Sequence, residues 1–405
     1  MHYIRPLRPA KLERSGGKGF VLSVLFTITT DLGDAFLYPE DGPHDLMVDV
    51  TPRPPQCHAR TCKWKAGMRV LEVKLDLGPK WKNPSDVNCT ISIETLHRFP
   101  GPSYDDTQLG YLKVDDVLDW KVHGKHRLEA GVVMPVTLEI RQGVCDDIAY
   151  RTLAVDSGPP SNRLNLVIEE DIGESIAKHI WDAGVLTSAY LADASLIPGK
   201  IRDFLPIDSG SYNVLELGCG VGILGLMIAS ILPRAAQAQG KTNIQSTVLL
   251  TDLEEAKDYA LRNITRARAS LEVNTATDEQ MPRIEYENLD WDEGRNGRFG
   301  PIVKSMAWDL IVLSDCTYNV DSLPALVGTL SALHDLKRHH QGCGSSPVKS
   351  SVLLATKPRH SSEQALFGIL QGQHWRCVLP VVDLVLPKIG EEDEAVQIYL
   401  LERVE

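Results

Sequence analysis

The chain reads as an α/β protein, an open seven-stranded sheet preceded by a smaller β-rich domain. Three observations predict this. From Val214 onward, short apolar runs alternate with helical stretches, the pattern that builds strand–helix–strand units. One of those runs, Val214 to Leu217, passes directly into the glycines Gly218, Gly220 and Gly222 and then into an apolar helical segment. The first 150 residues, by contrast, are β-rich and contain few helical segments.

In the N-terminal part, strands are expected over 20–29, 70–77, 89–96 and 132–140, two of them with the period-two alternation of half-buried strands. Turn-formers such as those at 51–55 and 100–102 separate them. The first residues are basic and lack an apolar signal core, and a disordered arm is expected there. The segment Asp156-Ser-Gly-Pro-Pro-Ser-Asn162 reads as a linker, dividing the chain into domains at 1–155 and 163–405.

Beyond it, a helix is expected from 172 towards 194. Strands are expected at 214–217, 247–251, 283–289, 309–314, 352–356, 378–386 and 395–401. Helices are expected at 254–271, 323–338 and 362–371, with exposed loops at 235–246 and 341–350.

The composition, 43% hydrophobic and 24% charged over 405 residues, is that of an ordinary globular protein. No apolar run has the length and continuity of a membrane span, so no membrane partner is expected. Eight irregularly spaced cysteines give no disulfide framework and point to a reducing compartment, cytoplasmic or nuclear. Cys57-His58 with Cys62, and His339-His340 with Cys343, lack a complete ligand set, and no metal is expected.

Of the net charge of −12, almost all falls after residue 150. Residues 1–150 hold 19 Lys+Arg against 20 Asp+Glu, leaving 23 against 34 in the remainder. That balance disfavours direct nucleic-acid binding and favours a basic partner. A monomer is expected.

Four features fall at the carboxyl ends of successive strands, where open α/β sheets bind ligands. The loop Glu216-Leu-Gly-Cys-Gly-Val-Gly222 lets backbone approach a ligand, and its acid suits a cationic or hydroxyl-rich group better than a phosphate. Asp252 ends the second strand and can accept from both hydroxyls of a ribose, or cap the helix that follows. Asp290-Trp291 follows the third strand; its indole can face an adenine or belong to the core. Ser314-Asp315-Cys-Thr-Tyr318 ends the fourth, and Asp315 and Tyr318 can also be read as a helix cap and a packing aromatic. The spacing Gly220-x-Gly222-x-x-Gly225 matches a dinucleotide fingerprint, but alone it is a weak signal and Gly225 can serve helix–strand packing.

Taken together, these residues resemble the seven-β-strand S-adenosylmethionine-dependent methyltransferases with their Rossmann-like sheet. They are most similar to the protein-lysine branch, methyltransferase family 16. That branch carries an Ile-Trp-Asp-Ala-like helix, here Ile180-Trp181-Asp182-Ala183, and an acid-x-x-Tyr motif, here Asp315-Cys-Thr-Tyr318. The resemblance covers about 165–405 and leaves 1–155 unassigned. The sequence departs from the pattern in the long spacing from Gly222 to Asp252, and in Ser314, where relatives commonly carry alanine.

The resemblance implies S-adenosylmethionine as cofactor. Gly218, Cys219 and Gly220 would lie along its methionine part, with Glu216 near the cationic end. Asp252 would hold the ribose, Trp291 the adenine, Trp181 would line the pocket, and Ser314 would contact the cofactor through backbone. Asp315 and Tyr318 would face the acceptor amine. Other readings stay open: a small-molecule amine or protein-histidine methyltransferase, a non-catalytic scaffold, or a dinucleotide oxidoreductase.

Overall fold

A computed structural model describes residues 1–16, 19–38, 46–53, 59–95, 110–118, 132–155, 164–173, 175–195, 200–207, 210–241, 244–274, 281–341, 348–387 and 394–404. The expected linker at 156–162, together with Cys57, His58 and Cys343, lies outside these residues. The chain forms two compact units. One comprises 1–154, 167–179 and 386–393, and the other 155–166, 180–385 and 394–405. The first unit thus also takes in segments beyond the 156–162 stretch.

The first unit is built from β-sheets. In a five-stranded sheet, Phe20–Thr30 lies between Lys11–Arg14 and His2–Pro6, and also pairs with Leu71–Asp76; Val133–Met134 runs parallel to His2–Pro6. An eight-stranded sheet is ordered Leu164–Asp171, Ile148–Val155, Val136–Arg141, Cys89–Thr95, Leu46–Arg53, Arg60–Trp64, with Val144–Cys145 and Leu112–Lys113 attached. Phe20, Leu22, Val24, Phe26 and Ile28 pool with Ile91, Ile93, Leu138 and Ile140 in one core.

The N-terminal segment corrects the expectation of a disordered arm. Tyr3 and Ile4 are fully buried, and His2–Pro6 is an interior strand. Its basic residues are placed by distant partners: Arg5 donates to the Asp31 carbonyl and Arg8 pairs with Glu72.

In the second unit we number the helices α1 (Asp182–Ala194), α2 (Ile223–Ala238), α3 (Glu254–Asn274), α4 (Leu323–Gln341) and α5 (Ala365–Gly372). The strands are β1 (Ser211–Leu217), β2 (Gln245–Asp252), β3 (Arg283–Asn288), β4 (Leu310–Ser314), β5 (Lys349–Thr356), β6 (Arg376–Cys377), β7 (Val382–Val385) and β8 (Ala395–Val404). The sheet order is β3-β2-β1-β4-β5-β8, with β6 and β7 both on the outer edge of β8. The single strand expected over 378–386 is therefore two short pieces sharing the seventh position. The first five strands are mutually parallel, and β8 runs antiparallel to β5 from Lys349↔Val404 to Thr356↔Gln397.

Central strands buried on both faces explain the continuous apolar runs. Leu215, Leu217, Ile311, Leu313, Val352 and Leu354 point to one face, against Leu326 and Leu330 of α4 and Leu366 and Leu370 of α5. Two expectations fail at helix ends. The helix foreseen from 172 begins only at Asp182, after a single 3-10 turn at Ile176–Lys178. The loop foreseen from 235 is helical to Ala238, because Ala235 and Ala236 are buried and extend the apolar face of α2.

Candidate active site

The sheet order reverses between β1 and β4, and their carboxyl ends open the crevice in which such sheets take ligands. The glycine loop leaves β1 there. Gly218, Gly220 and Gly222 have φ of +63°, +53° and +87°, a conformation that side-chain-bearing residues rarely adopt. At Gly218 a Cβ would also stand 2.6 Å from the Cys316 sulfur and 3.1 Å from the Trp291 ring, so glycine lets the ends of β1 and β4 come together. The Cys219 amide donates to the Thr251 carbonyl, and the buried Asn263 amide donates to the Val221 carbonyl, which fastens the loop to β2 and α3.

Asp252 ends β2 beside this loop. One carboxylate oxygen accepts the Gly220 amide at 2.7 Å and the other accepts the Leu253 amide at 2.7 Å. Each oxygen retains acceptor capacity for a further donor. Burial raises its pKa, and the two amides partly counter that. Leu253, 48% exposed, follows it at the mouth of the crevice. Trp291 begins a short helix capped by Asp290, which accepts the Asp292 amide, and its ring packs into the core near Gly218.

Glu216 takes a different place from the one expected. Side chains alternate along a strand, so Glu216 faces the side of the sheet opposite Leu215 and Leu217, the side covered by α2. It is 1% exposed, and one oxygen accepts the Gly225 amide in the first turn of α2 at 3.0 Å. A Cβ at Gly225 would lie 2.3 Å from the Leu250 side chain and 2.5 Å from the Glu216 carboxylate, so glycine is what fits there. Burial pushes the Glu216 carboxyl up to about 8, with the Gly225 amide acting in the opposite direction.

The acceptor side gathers residues from three distant segments. Asp315 follows β4 with φ +53°, fixed by its amide donating to the Ala355 carbonyl. Its carboxylate accepts the Ala183 amide at 2.7 Å and so caps the start of α1 from 132 residues away. Its other oxygen meets the Arg359 guanidinium at 3.4 Å. That guanidinium lies over the Trp181 ring, 5.7 Å from its centroid. Next to Trp181, the fully buried Asp182 pairs with Lys357 at 2.9 Å, and Lys357 pairs with Glu394 at 3.1 Å. Gly184, two residues on, allows α1 to approach Ile223 and Ser314.

Thr317 donates to Glu363 at 3.0 Å, and the other Glu363 oxygen accepts the Arg359 and His360 amides. This ties the Asp-x-x-Tyr motif to the loop after β5. Beyond Arg359 lies a cavity of about 650 Å³ whose walls include Thr317, Thr356, Glu363, Phe367 and Tyr399. Tyr318 is 59% exposed. Burial holds the Cys219 and Cys316 thiols well above their ordinary range, so both stay protonated.

The structure thus brings Gly218, Cys219, Gly220, Asp252, Trp291, Ser314 and Asp315 to one end of the sheet, and joins Trp181 to them through Asp315 and Arg359. Arg359, Lys357 and Glu363 had no signal in the sequence: a Lys-Pro-Arg-His run after a strand looks like any solvated loop. Asn263 was equally silent, as one polar residue within a helix.

An open sheet with a glycine loop after its first strand and an acid after its second is the arrangement in which such sheets take nucleoside cofactors. Residues 160–373, more than half of the chain, match the lysine methyltransferase family, and the chain belongs to it. It is an S-adenosylmethionine-dependent methyltransferase. The residues present fit that cofactor: the open glycine cradle would follow its methionine part, and Asp252, with spare acceptor capacity on both oxygens, would hold its ribose.

Over 99% of both chains the protein is 29% identical to the UPF0665 family protein C23C4.06c of Schizosaccharomyces pombe. It is 25% identical to the protein N-terminal and lysine N-methyltransferase EFM7 of Cryptococcus neoformans, over 44% of this chain and 50% of that one. Among solved structures, TYW2 of M. jannaschii in complex with AdoMet aligns with 59% of this chain and 83% of its own, at 9% identity and a TM-score of 0.28. Among the described residues no helix is long and apolar enough to cross a membrane.

Proposed function

We propose that the protein transfers a methyl group to the side-chain amine of a lysine in a protein substrate. The observation that carries this reading is Asp315, held in a left-handed conformation at the end of β4 beside the glycine loop, with Tyr318 exposed three residues on. When bound, S-adenosylmethionine would supply an electrophilic methyl group on a sulfonium, open to direct displacement by a neutral amine whose surplus proton would pass to solvent.

What the chain supplies is alignment, the main source of rate in a direct displacement. Asp315 orients the amine by accepting its hydrogen bond, and the Tyr318 ring offers a face to the cationic centre. The amine must be neutral, and a lysine of pKa about 10.4 is neutral in only about 1 part in 2,500 at pH 7, a deficit of about 4.6 kcal/mol. Partial burial of the acceptor lowers that deficit. Asp315 is a positioning group and not a strong base, since a carboxylate beside an amine favours the ammonium form.

The acidic balance of residues 151–405 fits a basic, lysine-bearing partner in the cytoplasm or nucleus and disfavours nucleic acid. The similarity to a relative named for N-terminal as well as lysine methylation supports the α-amine as a second acceptor. Cell extract lacking the enzyme, incubated with the purified protein and methyl-labelled cofactor, should show label on protein lysines by mass spectrometry. Label confined to small metabolites or to histidines would overturn the proposal. Asp315→Ala should abolish transfer while cofactor binding persists in calorimetry, and surviving transfer would remove Asp315 from the acceptor site.

A further inference from the structure

We infer that Arg359 sets the charge of the acceptor side: its guanidinium neutralises Asp315, so that the site offers an incoming amine a paired carboxylate instead of a bare one. This rests on reading Asp315 as the acceptor-side carboxylate.

Three observations make Arg359 more than a surface partner. Its side chain is 16% exposed and that of Asp315 is 9% exposed, so solvent screens the pair poorly. The guanidinium lies over the Trp181 ring, and the Glu363 carboxylate holds the Arg359 backbone through its amide. The carboxylate of Asp315 is balanced at both oxygens, by Arg359 at one and by the positive amino end of α1, through the Ala183 amide, at the other.

The neighbouring charges have other partners. Lys357 serves Asp182 and Glu394, and Glu363 accepts from Thr317, Arg359 and His360. Arg359 meets Asp315 directly, and as a guanidinium it keeps its charge at every working pH.

The chemical consequence follows from the acceptor's need to be neutral. A bare carboxylate would stabilise the unreactive ammonium, whereas a neutralised pair keeps the hydrogen-bond acceptor and removes most of its field. Arginine also has no proton to lend or take, so it tunes the site without joining the proton balance. Arg359 is a positioning residue in this sense, since it acts through Asp315.

The test uses two probes that differ by one positive charge at the transfer position, S-adenosylmethionine and S-adenosylhomocysteine, with affinities measured by calorimetry on the full chain. Arg359→Met should shift the affinity ratio towards the sulfonium by on the order of tenfold, because Asp315 loses the positive charge of the guanidinium. Asp315→Asn should shift it the other way, Arg359→Lys should hold it near the wild-type value, and the double variant Arg359→Met/Asp315→Asn should return close to it. A folded Arg359→Met whose ratio stays within about twofold of wild type overturns the inference. If Arg359→Met does not fold, Asp315→Asn decides alone, and an unchanged ratio there is equally fatal. Wild-type protein that binds neither probe would instead refute the cofactor assignment, while binding with the expected ratios but label on histidine would refute only the lysine proposal.

Discussion

The cofactor side and the acceptor side of the site are assembled in opposite ways. On the cofactor side, Gly218, Gly220 and Asp252 lie within 35 residues, and most of what they offer is backbone geometry after two adjacent parallel strands. On the acceptor side, Trp181 and Asp182, Asp315 to Tyr318, and Lys357 to Glu363 come from three segments joined through buried charges. The first depends on glycine and strand order, and the second on whether ion pairs survive burial. In folding stability, the cofactor side should therefore respond to added bulk and the acceptor side to loss of a charge.

Glu216 is the largest exception, a buried ionisable group beneath the cofactor loop. Its carboxyl is raised from 4.5 to about 8, so the folded state keeps a proton that the unfolded chain releases. The associated stability is fully present below about pH 4.5 and is lost as pH rises to about 8, on the order of 5 kcal/mol at most. Glu216→Gln, which cannot ionise, should flatten that part of the apo protein's unfolding free energy between pH 5 and 8. Equal slopes in both proteins would show Glu216 to be ionised in the fold.

On the acceptor side, Lys357→Met would leave Asp182 buried beside Glu394 without its cation, and should cost about 3 kcal/mol in denaturant unfolding. A loss below about 1 kcal/mol would break the proposed contrast between the two sides.

For the cofactor, Asp252→Ala should weaken S-adenosylmethionine binding by about a hundredfold, as the lost ribose contacts are charge-assisted. Calorimetry showing less than about a threefold change would remove Asp252 from the ribose site. The smallest expected effect is Gly218→Ala, about 1–2 kcal/mol of stability from a positive φ and the approach of Cys316. Thermal unfolding unchanged from wild type would mean that the loop relaxes freely.

Legibility in the sequence follows the same division. Strand positions in the second unit could be read because strands buried on both faces are uniformly apolar, and the glycine loop because its residues are adjacent. Glu216 was seen but assigned to the ligand, although period-two alternation already places it with Val214 on the α2 face. Arg359 and Glu363 could not be found, since their partners Asp315 and Thr317 lie more than 40 residues away. In the first unit, the N-terminal stretch reads as a free arm because Arg5, Arg8, Lys11 and Arg14 dominate a short segment. Only its pairing with Phe20–Thr30 reveals a strand.

By itself, the sequence determined the α/β order of the second unit, the glycine loop after β1 and the acid that closes β2, all of them consequences of short-range periodicity and backbone freedom. Tertiary structure alone decided which charges meet: that Asp315 caps α1 and pairs with Arg359, that Asp182 is neutralised by Lys357, and that Glu216 lies under the loop against Gly225. The reason is physical. Backbone conformation is set within a few residues, whereas the partner of a buried charge is whichever group the packed chain brings within a few ångströms, at any distance in sequence.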